Sequence, residues 1–142
     1  MASFIYNRLK ANLLNGEIDI EADTIKVALM KAAHSASTAD DDVLTDVSAN
    51  ELANGNGYTT GGATLAGSAI TQGILSDGSV TRWTATDTAW TTATFTAYYA
   101  VIYDSTATDN LILSIDFGPL GVTVANGTLT IDWNAGGILT LL

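Results

Sequence analysis

Residues 93–117, ATFTAYYAVIYDSTATDNLILSIDF, decide how this chain is read. Ala93–Tyr103 and Leu111–Phe117 are dense in Thr, Val, Ile, Leu and aromatic residues, and the polar run from Thr106 to Asn110 separates them. β-Branched and aromatic side chains suit a pleated, half-buried surface. Turn formers between two such runs mark a reversal of the chain. The stretch therefore predicts two strands joined by a turn.

The pattern extends in both directions. Further strands are expected near Ala63–Gln72, Ser79–Thr84, Thr128–Asp132 and Gly137–Leu141. Their separators, Ser76-Asp77-Gly78, Gly118-Pro119 and Asn126-Gly127, are turn signals, and Asn-Gly is the favoured pair of a tight hairpin. Upstream, Thr24–Met30 alternates, with Ile25, Val27 and Leu29 on one side and Lys26, Ala28 and Met30 on the other. That is the pattern of a half-buried strand. About seven short strands at this spacing predict a mainly β fold, a β-sandwich or jelly-roll-like antiparallel domain.

One N-terminal α-helix is expected ahead of the strands, over Ser3–Leu14. Ile5, Leu9 and Leu13 are spaced by four, Tyr6 and Leu14 widen the stripe, Ser3 is the candidate N-cap and Gly16 the stop. The expected organisation is a single domain, 1–142, with a helix in 1–16 and a β body in 17–142. A polar loop is expected from His34 to Asp46. The Ser48 and Glu51 pair has capping-box spacing and predicts one short helical turn. Gly55, Gly57, Gly61 and Gly62 predict a loop or bulged strand around Tyr58.

Charge narrows the function classes. Five Lys and Arg face fifteen Asp and Glu, a formal charge of −10, and Arg82 is the one basic residue after Lys31. Such a surface repels phosphate backbones and anionic lipid, so neither nucleic acid nor membrane is an expected partner. No stretch approaches the roughly 20 apolar residues of a membrane span. Met1–Leu14 does not read as a signal peptide, because Arg8 and Lys10 interrupt its apolar part. The chain has no cysteine, so thiolate chemistry is excluded.

Candidate chemical residues are few. His34 is the lone histidine, sits in the polar loop and is expected to be solvated; a Ser-His-Asp triad would need it, and no Gly-x-Ser-x-Gly elbow surrounds any serine. Asp40, Asp41, Asp42 and Asp46 lack the spaced D-x-D-x-D-G order of a calcium loop and read as a solvated patch. Asp104, Asp116 and Asp132 lie near strand ends, where aspartate usually serves turns, although a glycosidase would need two of them to converge. Trp83, Trp90 and Trp133 read as core anchors more readily than as sugar-stacking platforms, and Trp133 is expected to anchor the penultimate strand. The expectation is a protein with no enzymatic activity, no cofactor and no metal.

Five blocks carry a resemblance: residues 4–14 (FIYNRLKANLL), 23–30 (DTIKVALM), 58–65 (YTTGGATL), 99–104 (YAVIYD) and 133–141 (WNAGGILTL). In this order they resemble a family of small virion structural proteins of tailed bacteriophages. None is a catalytic motif, so the resemblance implies a scaffold and transfers no site residues. It implies a virion component, made in the host cytoplasm.

Physical arguments lead further, to capsid cement or decoration. A charge of −10 disfavours a place beside packaged DNA and favours the outer face of the shell. Low charge density suits lateral contacts between copies. The expected partners are the major capsid protein and neighbouring copies, in a homo-oligomer, either dimer or trimer. The candidate docking residues are Ser3, Phe4, Tyr6, Arg8 and Lys10. The alternatives are a neck, tail or fibre-base virion protein, or a carbohydrate-binding module.

Overall fold

The computed structural model describes residues 2–75 and 78–141, with the side chains of 73–75, 78 and 79 left aside. In chain order the elements are β1 (Phe4–Ile5), α1 (Asn7–Asn15), β2 (Ile25–Met30), α2 (Leu44–Val47), a 3-10 turn (Ser48–Asn50), β3 (Ala63–Thr64), β4 (Ala69–Leu75), β5 (Gly78–Thr84), β6 (Thr88–Ala97), β7 (Tyr99–Asp104), β8 (Asn110–Asp116), β9 (Val122–Ile131) and β10 (Leu139–Leu141). Every pairing is antiparallel. One sheet has the order β1-β8-β7-β2-β3, a second has β10-β5-β4, and β6 and β9 form a two-stranded ribbon. The fold is thus mainly β with an N-terminal helix, and its sheets pack in the manner of a sandwich.

The alternation in β2 explains the layers. Ile25, Val27 and Leu29 enter one core with Ala100 and Ile102 of β7 and Ile112 of β8. Trp83 from the second sheet and Trp90, Ala93, Ala97 and Leu129 from the ribbon close that core from the other side. Ala28 and Met30 point the opposite way, into a smaller core with Tyr6, Val101, Tyr103 and Leu111, which Val47 helps to cover. β2 is therefore buried on both faces rather than half-buried as its alternation predicted. Lys26 is its one polar residue, and a nearly continuous apolar run is the signature of a strand covered on both sides.

Several sequence expectations need correction. The helix does not begin at Ser3. Phe4 and Ile5 form a strand paired with Ser114 and Leu113, and Tyr6, in extended conformation, is the residue before α1. Gly16 does end the helix, at φ 68°. Leu9 is buried, whereas Leu14 is 89% exposed, so the apolar stripe fades along the helix.

Two expected strands each divide into two. Ala63–Gln72 becomes β3 in the first sheet and β4 in the second, with Gly67 at φ 63° between them. Ala93–Tyr103 breaks at Tyr98, where the chain leaves the ribbon and joins β7 to β2.

Asn126-Gly127 is not a hairpin turn. It lies inside β9, opposite Ala93 of β6. The register slips between Trp90 and Ala93 and again between Ala93 and Phe95. Thr92 (φ 52°) and Asn126 (φ 50°) mark these as compensating bulges, one in each strand. The expected turn at Ser76-Asp77-Gly78 falls partly outside the described residues, although Leu75 opposite Gly78 closes the β4–β5 ladder.

Candidate interaction surfaces

The five N-terminal candidates do not share one surface. The Ser3 hydroxyl accepts the Asp116 N–H at 2.9 Å. Phe4 packs edge-on to Tyr6, with ring centroids 4.9 Å apart. Tyr6 is fully buried; burial first, then the carboxylate of Asp41, pushes its phenol well above the usual range. Arg8 is half-buried and donates from Nε to Asn110 Oδ1 at 3.2 Å, a bond spanning 102 positions. Lys10 is exposed and donates to Asn7 Oδ1 at 3.1 Å. Tyr6 and Arg8 thus hold the N-terminal segment to its own sheet. Ser3 and Lys10 remain on the surface.

His34 corrects a second expectation, because it is 3% exposed. The loop after β2 folds back over the smaller core, and the His34 ring lies 5.1 Å from that of Tyr99. Neither ring nitrogen has a hydrogen-bond partner among the described residues. Burial lowers its pKa, and the Asp41 carboxylate opposes that shift only in part.

The acidic residues nearby mostly tie backbone. Asp41 Oδ2 accepts the Ser37 N–H at 2.6 Å, and Asp40 Oδ2 accepts the Ser37 hydroxyl at 2.8 Å. Asp46 Oδ2 accepts the N–H groups of Asp42 and Val43, and the Val43 bond, then the Asp42 bond, hold this carboxyl below its usual range. Asp46 therefore caps α2. The short turn expected at Ser48 forms as the 3-10 turn Ser48–Asn50, but Glu51, expected to complete its capping box, is buried instead and accepts the Tyr58 hydroxyl and the Gly61 N–H, each at 2.6 Å. Among the described residues, no group of three or more His, Asp or Glu is placed to hold a metal ion.

Asp104 is fully buried and accepts the N–H groups of Thr106 and Ala107 through Oδ1. Asp116 Oδ1 accepts the Gly118 N–H at 2.7 Å. Both carboxylates thus organise turns. Trp83 and Trp90 are buried. Trp133, expected in the core, is half-buried beyond the end of β9, with Nε1 3.3 Å from Thr88 Oγ1. The cause is that the chain leaves the ladder at Ile131, so alternation no longer directs this side chain.

Trp133 walls a groove of about 430 Å³ with Phe4, Ile5, Ile131 and Ile138. A second groove, about 390 Å³, lies among Leu13, Ile18, Ile70, Leu139 and Leu141. Among the described residues, the walls of each hold a single carboxylate, Asp132 in the first and Asp19 in the second. Both grooves offer apolar contact.

The ribbon offers a third surface. Ala89, Thr91, Thr94, Thr123, Ala125, Thr128 and Thr130 are exposed along it. Neither of its ten-residue strands contains a charged residue, although Asp87 precedes β6 and Asp132 follows β9. Sequence reading missed this surface because it placed a turn at Asn126-Gly127. The absence of charge from 88 to 103 and from 117 to 131 was the available signal. Comparison with known protein families, curated proteins and solved structures gives no match to this chain.

Proposed function

We propose that this chain is a structural protein of a tailed-phage virion, and that it acts as capsid cement or decoration by bridging major capsid subunits. The observation that carries this reading is where the family-like blocks lie. Residues 4–14 form β1 and α1, 23–30 contain β2, and 99–104 form β7. Residues 58–65 supply buried Tyr58 and Leu65, and 133–141 end in β10. The blocks thus build the body of the fold, as expected of a resemblance between scaffolds.

The surfaces also favour binding to protein. They comprise two apolar grooves and a neutral ribbon on a chain of charge −10. Burial of Trp83 and Trp90 leaves the half-buried Trp133 as the one tryptophan outside the core, which weighs against a row of stacking tryptophans in the carbohydrate-binding reading. The neck, tail or fibre-base position is the nearer rival. Quantifying the chain in purified particles, with its position located by electron microscopy, tests the proposal. Copies in proportion to capsid subunits on the outer shell support cement. A single ring at a vertex or in the tail supports the rival, and absence from particles overturns both.

A further inference from the structure

β9 pairs with β6 along one edge, and its other edge is unpaired among the described residues. A ten-residue strand with an open edge presents a row of N–H and C=O groups about 34 Å long. Natural edges are usually guarded by lysine, proline or an inward-pointing charge. Val122–Ile131 has none of these, and its one irregularity is the bulge at Asn126.

We propose that this edge is a self-association site. In it β9 pairs antiparallel with β9 of a second copy about a two-fold axis at Asn126-Gly127, giving a continuous four-stranded sheet β6-β9-β9-β6. Two observations select a second copy as the occupant. The first is charge. Copies of net charge −10 repel each other over most of their surface, and the ribbon is a face on which neither copy brings a charged side chain.

The second is the order of residues. Pairing about that axis sets Val122 against Ile131, Thr123 against Thr130, Val124 against Leu129, and Ala125 against Thr128. Three of these pairs set like against like, apolar on apolar or threonine on threonine, and the fourth sets alanine against threonine. Opposed residues in an antiparallel pair point to the same face, and here the bulge makes that condition hold. Without it, Thr123 and Thr130 would point to opposite faces. With one extra residue between them both are exposed, while Leu129 is buried and Val124 half-buried beneath. A two-fold, self-complementary contact of this kind closes at a dimer. The inference stands on the ribbon alone and does not depend on the position of the protein in a virion.

The full-length chain tests it directly, because it has no native cysteine. Thr123→Cys and Thr130→Cys are made separately, each at an exposed position, and circular dichroism checks that each is folded. Sedimentation equilibrium of the unmodified protein is expected to give a dimer at micromolar concentration. Mixing the two variants under mild oxidation is expected to yield a disulfide-linked dimer several-fold faster than either variant alone, since cross-strand Cα separations of about 4.5–5.5 Å permit a disulfide. Thr128→Glu/Thr130→Glu is expected to shift the equilibrium to monomer, while Ala11→Glu/Ala39→Glu, which adds the same charge at exposed positions on α1 and the loop beside it, leaves the dimer. A monomeric unmodified protein overturns the proposal. So does a dimer that survives the ribbon glutamates, or one in which mixing gives no preferential cross-link.

Discussion

Tyr58 and Glu51 are joined inside the protein: the Tyr58 hydroxyl donates to Glu51 Oε1 at 2.6 Å and accepts the Leu29 N–H at 3.1 Å. Both side chains are buried. Glu51 Oε1 also accepts the Gly61 N–H, so this pair ties β2 to the glycine loop through 55–62. Burial first, then the bond to Glu51, drives the Tyr58 phenol far above its usual range. Glu51→Ala would strand the Tyr58 hydroxyl and the Gly61 N–H. A loss of about 2–3 kcal/mol is expected, since an unsatisfied buried group costs about 1–3 kcal/mol. Tyr58→Phe removes one donor and one acceptor and is expected to cost about 1–2 kcal/mol. Urea denaturation of both variants checks the order.

Gly62 has no substitute. It sits at φ 75°, and a Cβ there would run into the Val27 carbonyl oxygen. Gly62→Ala is expected to cost more than about 3 kcal/mol, through the clash and the left-handed backbone together. Gly16→Ala is the control. Gly16 has a similar φ of 68° but open space around the new methyl, so about 1 kcal/mol is expected. Equal losses for the two would show that backbone conformation alone, and not the approach to β2, fixes Gly62.

His34 makes stability depend on mild acid. The folded state favours the neutral ring, because burial lowers its pKa. An unfolded histidine titrates near ~6.5. Between the lowered folded value and that point the unfolded chain binds more protons, so stability falls as pH drops through this window. His34→Phe keeps a ring against Tyr99 and removes the two unpartnered nitrogens. Its expected profile lacks the decline that His34 contributes below about pH 7, with stability at pH 7 equal to or above that of the parent. A parallel decline in both proteins would place the acid sensitivity elsewhere.

Asp104 works in the opposite direction. Oδ1 has two backbone donors, whereas the buried Oδ2 has none and the Asp23 carboxyl lies beside it. Burial is the main cause that raises its pKa, and Asp23 adds to it. The ionised form is thus disfavoured in the fold, and stability is lost as pH rises from the usual carboxylate range through the raised value. Asp104→Asn keeps the acceptor and adds a donor. It is expected to gain about 1 kcal/mol at pH 7, the net worth of a typical hydrogen bond, and nothing near pH 3. Thermal melts at the two pH values check this.

How much of this was legible in the sequence follows from the range of the interactions. Period-two patterns placed β2, β5 and β8 to within a residue or two, because alternation is local. The sheet switches at Gly67 and Tyr98 were not legible. Local propensity is the same on either side of each, and only partners far along the chain assign the strand to a sheet. Asn126-Gly127 reads as a turn because left-handed backbone serves hairpins and bulges alike. His34 reads as solvated because polarity predicts exposure only until the loop is folded against another element, here Tyr99 at the start of β7. Glu51 reads as a cap for Ser48 because that spacing is local, whereas its burial with Tyr58 depends on the contact of Tyr58 with Leu29 of β2.

The N-terminal charges separate stability from docking. Arg8 donates to Asn110 Oδ1 while half-buried, whereas Lys10 is exposed beside Asn7. Arg8→Glu removes the donor and turns a carboxylate toward an acceptor, so a loss of about 1 kcal/mol is expected. Lys10→Glu is expected to stay within about 0.5 kcal/mol of the parent, as exposed substitutions usually do. If the basic side of α1 meets an acidic patch on the capsid, Lys10→Glu alone should weaken co-sedimentation with particles stripped of this protein. Binding by the parent should then fall with added salt, because exposed charges are screened. Lys10→Glu is the informative variant, since its fold is intact and its charge is free to act. Full occupancy by Lys10→Glu at both low and high salt would remove α1 from the docking surface, and the grooves beside Trp133 and Leu141 would be the next sites to mutate.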